Sequence, residues 1–181
     1  MRGIVFTEFL DLVEDKFSAE MVDTIIESSD LPSNGTYTSL GTYDHEEMIQ
    51  LVSNLSKETD IPIPALIHTF GEHLFTQFNT GFPVFFEGIT HAFDFLKNLE
   101  DYIHVEVRKL YPDAELPRFE YQTPSDDQLV MIYTSSRPFG DLAEGLISGC
   151  IKHFGKPIDL KRENLEANGI TKIRFTLTEQ A

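Results

Sequence analysis

Apolar residues recur at helical spacing through roughly the first 110 positions, then in short alternating runs. Gly3 to Phe17 reads as a first helix, with Val5, Phe6, Phe9, Leu10, Val13 and Phe17 on one side. Ser18 predicts the cap of a second helix, in which Met21, Val22, Ile25 and Ile26 face inward. Leu31 to Tyr43 is turn-rich, and Asn34-Gly35-Thr36 within it is read as a turn. Asp44 and Glu47 predict a capping box for a third helix ending near Thr59. Pro62 and Pro64 mark the start of a fourth, where a missing N–H leaves no helical bond unmade. Ile63, Leu66, Ile67, Phe70, Leu74 and Phe78 line one of its faces. Gly71 inside it costs roughly 1 kcal/mol relative to alanine, so it is expected where close packing or bending needs it. After the break at Gly81-Phe82-Pro83, Gly88 to Pro112 reads as one long helix. Ala92, Leu96, Leu99, Ile103, Val107 and Leu110 form its apolar stripe.

The period then changes. Arg118 to Thr123 and Gln128 to Ser136 are strand-like runs around a turn at Pro124-Ser125-Asp126-Asp127. Phe139 to Phe154 is helical, with Phe139, Leu142, Ala143, Leu146, Ile147, Cys150 and Phe154 on one face. Pro157 to Asn164 and Ile170 to Thr178 are two more strands around Glu166-Ala167-Asn168-Gly169. The expected class is α+β, an N-terminal helical layer packed on a C-terminal four-stranded antiparallel sheet with flanking helices. The whole chain, 1–181, is expected to be one domain. A helical subdomain is expected over about residues 1–60, with further helices and the sheet over about 61–181.

Charge narrows the partners. With 14 basic against 30 acidic residues the net charge is −16, and such a surface repels nucleic acid and anionic lipid. A single cysteine, Cys150, excludes an internal disulfide and a cysteine zinc cluster. The N-terminus lacks a signal-peptide pattern, and no apolar run approaches the roughly 20 residues of a membrane span, so a cytoplasmic protein is expected. The apolar supply is rich in phenylalanine (15 Phe, no Trp), enough to wall a cavity as well as fill a core.

Candidate chemistry is sparse. His68 and His73 are five apart, on different helix faces, and make a poor metal pair. Gly149 to Lys156 has the wrong spacing for a phosphate loop and carries Pro157 where the hydroxyl residue belongs. No nucleophile–base order or paired carboxylate motif stands out, so an enzyme is the least favoured class. His104 sits near the end of the long helix, on a flank shared with Phe93, Glu100 and Tyr111. Imidazole there serves as a metal ligand or as an ordinary semi-buried polar group, and the second is commoner. On the second strand Tyr133, Ser135 and Arg137 share one face, because side chains alternate. A phenol, a hydroxyl and a guanidinium in a row suit a pair of carboxylates, or form a solvated strand face.

The order of these pieces resembles the H-NOX family of heme-binding nitric oxide and oxygen sensors. The pieces are Met1-Arg2-Gly3, His104 near a helix end, Leu116-Pro117-Arg118 and then Tyr133-x-Ser135-x-Arg137. The resemblance covers essentially the whole chain. It implies heme b (protoporphyrin IX iron), with His104 as the axial ligand to iron. It also implies Tyr133, Ser135 and Arg137 on the two propionates, and Pro117 against the porphyrin.

Family members that hold oxygen carry a distal tyrosine five residues past the arginine, supported by a tryptophan and an asparagine. The corresponding positions here are Leu142, Phe9 and Leu74, and Val5, Phe78 and Leu146 complete an apolar pocket. Plain core packing accounts for the same residues. The expected ligand is nitric oxide, with carbon monoxide as a further candidate. By analogy with bacterial relatives, the expected partner is a histidine kinase or a cyclic-di-GMP enzyme. Two alternatives stay open. One is an oxygen-binding heme sensor with a donor such as Tyr37 or Tyr43; the other is a heme-free interaction domain.

Overall fold

Ser18 and Asp44 each start a helix by taking an otherwise unpaired backbone N–H. The computed structural model describes residues 1–112, 114–165 and 167–180. In it, Ser18 Oγ accepts from Met21 N at 3.2 Å and opens α2 (Ala19–Glu27), behind α1 (Gly3–Lys16). Asp44 Oδ1 accepts from Glu46 N at 3.1 Å and opens α3 (His45–Thr59). Each such cap stabilises its helix by about 1 kcal/mol. The other half of the expected capping box is not made. Glu47 is only 3% exposed, and it accepts from Ser33 Oγ and from Tyr37 Oη, the latter at 3.0 Å. A buried carboxylate needs donors, and here the preceding loop supplies them, fastening itself to α3.

Helix α4 (Ile63–Gly81) carries Pro64 in its first turn and buries Leu66, Ile67, Phe70, Leu74 and Phe75. Ile63, the first residue of the helix and expected on its apolar face, is 39% exposed. Phe75 takes its place in the buried set. A short 3₁₀ turn, Pro83–Phe85, follows.

The long helix expected from Gly88 to Pro112 is three segments. His91 caps α5 (Ala92–Asn98), a π-helical turn occupies Leu99–Ile103, and α6 runs from His104 to Leu110. The π turn bonds i to i+5, so it takes one residue more than an α turn and winds α6 back by roughly one residue's rotation. That shift decides the site. Leu99 and Ile103, expected in the stripe, are only half-buried, while His104, expected on the flank, is 9% exposed.

Four strands form one antiparallel sheet in the order β1-β2-β4-β3: β1 (Arg118–Ser125), β2 (Gln128–Ser135), β3 (Ile158–Asn164) and β4 (Thr171–Glu179). The first hairpin turns on Asp126 and Asp127 alone, since β1 runs through Pro124 and Ser125 with an irregularity after Gln122. In the second, Glu166 lies outside the described residues and Gly169 takes the left-handed φ of +73°.

Helix α7 (Gly140–Phe154) lies between the sheet and α4. Its Ala143, Ile147 and Cys150 join Leu129 and Met131 of β2 and Phe175 of β4 in one apolar cluster. Its Leu142 and Leu146 turn toward a second cluster built from α1 to α4. Gly71 and Gly145 make the α4–α7 crossing possible. A Cβ on Gly145 would stand 2.1 Å from the His68 carbonyl oxygen, and one on Gly71 2.6 Å from that of Leu142. Among the described residues no helix is long and apolar enough to cross a membrane.

Candidate functional site

The candidate residues fall into two walls. The first is apolar. Val5 and Phe9 come from α1, Leu74 and Phe78 from α4, Leu142 and Leu146 from α7, and all six belong to one cluster. Phe9 and Leu74 are fully buried in it, and Phe9 meets Phe70 edge to face at 5.3 Å. None of these six side chains can donate a hydrogen bond. Tyr37 and Tyr43 pack against the same cluster, but their hydroxyls are engaged in the loop. Tyr37 Oη donates to Glu47 at 3.0 Å, and Tyr43 Oη accepts from Thr38 N at 2.8 Å. Burial pushes the Tyr37 hydroxyl up to about 12, so it keeps its proton.

The second wall is built on α6, β1 and β2. His104 opens α6 directly after the π turn, and its ring lies 6.1 Å from that of Phe119, between centroids. Phe119 pairs with Tyr133 in the strand register, and their rings meet at 5.5 Å. A continuous path of rings therefore joins His104 to β2. His104 Nδ1 is bonded to Glu100 Oε1 at 2.8 Å, while Nε2 makes no hydrogen bond among the described residues. Burial lowers the pKa of His104, and the Glu100 hydrogen bond opposes that shift. The net shift favours the neutral ring, the form that can coordinate a metal.

Beyond the end of β2 the chain bends. Arg137 N donates to Ser135 Oγ at 3.1 Å, and the Arg137 guanidinium bonds the Glu115 carboxylate. Ser135, Arg137 and Glu115 line a cleft of about 190 Å³. Tyr133 is 2% exposed and lies beneath them, its hydroxyl close to Ser135. Pro117, half-buried, leads into β1 next to Arg118, another residue of the cleft. Glu115 already shows that the cleft accepts a carboxylate against Arg137.

These residues suit an iron porphyrin on chemical grounds: a neutral buried imidazole with one nitrogen free, a guanidinium and hydroxyl beside a cleft, and an apolar wall. The comparisons with known proteins give the family. The family profile described as haem-NO-binding matches residues 2–162. The chain belongs to the H-NOX family. H-NOX domains are heme-binding gas sensors rather than enzymes.

The Fe(II) unliganded H-NOX protein from K. algicida is 44% identical, with 100% of this chain and 97% of that chain covered, at a TM-score of 0.93. An H-NOX from Shewanella woodyi, in the Fe(II)CO ligation state with IWP-051 bound, is 40% identical over 99% of this chain and 95% of that one, at 0.85. The H-NOX protein from S. oneidensis in the Fe(II)NO state is 24% identical, with both chains fully covered (100% each), and at 0.90 it shares the fold. None of the curated proteins compared matches the chain.

Glu100, Glu115 and Phe119 could not be assigned to the site from the sequence. Glu100 had a signal, its spacing of four from His104 on a shared flank. Glu115 and Phe119 had none, since each meets its partner only through the β1–β2 pairing and the loop before it.

Proposed function

We propose that this H-NOX domain is a nitric oxide sensor carrying heme b, with His104 as axial ligand, and that it acts on a separate signalling protein. The observation that carries the choice of gas is the wall of Val5, Phe9, Leu74, Phe78, Leu142 and Leu146, which contains no donor. Bound oxygen carries partial negative charge and gains from a distal donor, whereas nitric oxide binds ferrous heme strongly without one. The hydroxyls of Tyr37 and Tyr43 are already engaged by Glu47 and Thr38, which weighs against an oxygen-binding reading.

Ferrous heme, when bound, would supply an iron centre able to take a gas. His104 would hold that iron through Nε2, because Nδ1 is occupied. Ser135 and Arg137, with the Tyr133 hydroxyl behind them, would hold the propionates, and Arg137 would exchange Glu115 for a propionate as its acidic partner. Pro117 would lie against the porphyrin. On this reading nitric oxide would weaken the hold of His104 on the metal, and a released His104 would free α6 and the π turn before it. The helical layer would then shift against the sheet layer, a two-state element that gas and partner would both bias. A histidine kinase or a cyclic-di-GMP enzyme is the class of partner this sensor serves.

An absorption spectrum of the reduced protein tests the reading. Heme bands that ignore oxygen and shift to a five-coordinate nitrosyl form on adding nitric oxide are expected. A stable oxygen complex overturns the gas preference. Absence of heme bands after added hemin overturns the sensor reading in favour of a heme-free interaction domain. Replacing His104 with glycine is expected to abolish the partner's response to gas, and an intact response would sink the release mechanism.

A further inference from the structure

Glu100 touches neither gas nor propionate, yet its carboxylate is the most connected group beside His104. Oε1 accepts from His104 Nδ1 at 2.8 Å and from the backbone N–H of Phe119 at 3.1 Å. Oε2 faces Arg108 Nη2 at 3.9 Å. A glutamate four residues before a histidine is ordinary on an exposed helix, where such a pair adds a few tenths of a kcal/mol. Two observations set this pair apart. Both side chains are largely buried, 19% exposed for Glu100 and 11% for His104, and one carboxylate oxygen is shared with the first strand of the sheet. The π turn also changes the backbone: His104 N bonds Leu99 O, five residues back, instead of the Glu100 carbonyl. Glu100 thus grips the His104 ring with its side chain while standing clear of it in the helix ladder.

We propose that Glu100 is a positioning residue for the iron-binding imidazole, setting how strongly His104 holds the metal. The inference rests on His104 being the axial ligand. Accepting the Nδ1 proton in a hydrogen bond fixes the tautomer that leaves Nε2 for iron and fixes the ring's direction. A carboxylate acceptor also raises the basicity of the ring and strengthens its bond to a metal. If nitric oxide acts by breaking that bond, as proposed above, Glu100 would raise the barrier to release. The Phe119 N–H holds the carboxylate in place, with Arg108 Nη2 3.9 Å from Oε2. Glu100 therefore sets the threshold of the switch without touching gas or iron.

The test is resonance Raman spectroscopy of the heme-loaded ferrous protein without gas, comparing wild type with Glu100→Gln and Glu100→Leu. The iron–histidine stretching band is expected to fall in frequency in the order wild type, Gln, Leu. Nitric-oxide-driven loss of that band is expected to speed up by about 10-fold or more in Leu, the scale on which outer partners of metal ligands act. The isosteric Gln retains an oxygen for the Phe119 N–H, so it keeps the fold if the leucine variant does not. A role confined to bracing β1 would leave the Gln frequency where it was. An unmoved band in Gln with heme retained overturns the role of Glu100 and leaves His104 as the ligand. A wild-type protein that binds heme but shows no iron–histidine band overturns the His104 assignment itself, and this inference with it.

Discussion

The apolar wall on α1, α4 and α7 and the histidine wall on α6, β1 and β2 do opposite work by opposite means. The first is made of interchangeable contacts. Val5, Phe9, Leu74, Phe78, Leu142 and Leu146 act together through burial, and what matters about them is that no donor is among them. The second is made of directed bonds: His104 to Glu100, Glu100 to the Phe119 backbone, Arg137 to Glu115. A volume-conserving apolar swap changes little in the first wall, whereas any change of acceptor geometry is felt in the second. On the proposed reading, ligand discrimination would rest on a surface tolerant of sequence change, while the switch would depend on a few bonds that are not.

Introducing a donor into the tolerant wall should have the largest effect. Leu142→Tyr is expected to convert a protein whose reduced spectrum ignores air into one that forms a persistent oxygen complex. An unchanged spectrum in air would mean that position 142 does not face the gas. Removing bulk from the same wall should act on stability instead: Phe9→Ala is expected to cost about 3–5 kcal/mol in urea unfolding, the range for a fully buried aromatic. A loss below about 1 kcal/mol would show that the wall is loosely packed there.

Adding bulk at the α4–α7 crossing comes next. Gly145→Ala forces a Cβ against the His68 carbonyl and should cost about 1–3 kcal/mol with a lowered melting temperature. An exposed ion pair outside both walls gives the smallest effect. Arg174, bonded to Glu163 at 2.5 Å across β3 and β4, is expected to change stability by about 0–1 kcal/mol on replacement by alanine. Cys150 offers a chemical counterpart. Burial raises its thiol well above the ordinary range, so a thiol reagent at pH 8 should label it only at the rate of unfolding.

Much of this was legible in the chain. Helical spacing located α1 to α4 and α7 within a few residues, and alternation located all four strands, because burying one face imposes a period of 3.6 or 2 on any sequence. The apolar wall was legible as a set of positions for the same reason. His104 was found but misplaced, on the flank of a helix assumed regular. A π turn is an insertion in the hydrogen-bond ladder, and no residue pattern in Leu99 to Ile103 announces it. Glu47 was misassigned to a cap because its donors, Ser33 and Tyr37, reach it only once the loop has folded back.

The sequence by itself determined the α+β class, the position of each element, the family and the absence of polar groups from the wall of Phe9, Leu74 and Leu142. Each follows from local periodicity or from the identity of single residues. Only the tertiary structure decided that His104 is buried with Nδ1 engaged, that Glu100 is shared between a helix and a strand, and that Arg137 faces a cleft. Those depend on a one-residue phase shift and on pairings across long stretches of chain, and a hydrogen bond's direction is fixed only when both partners are in place.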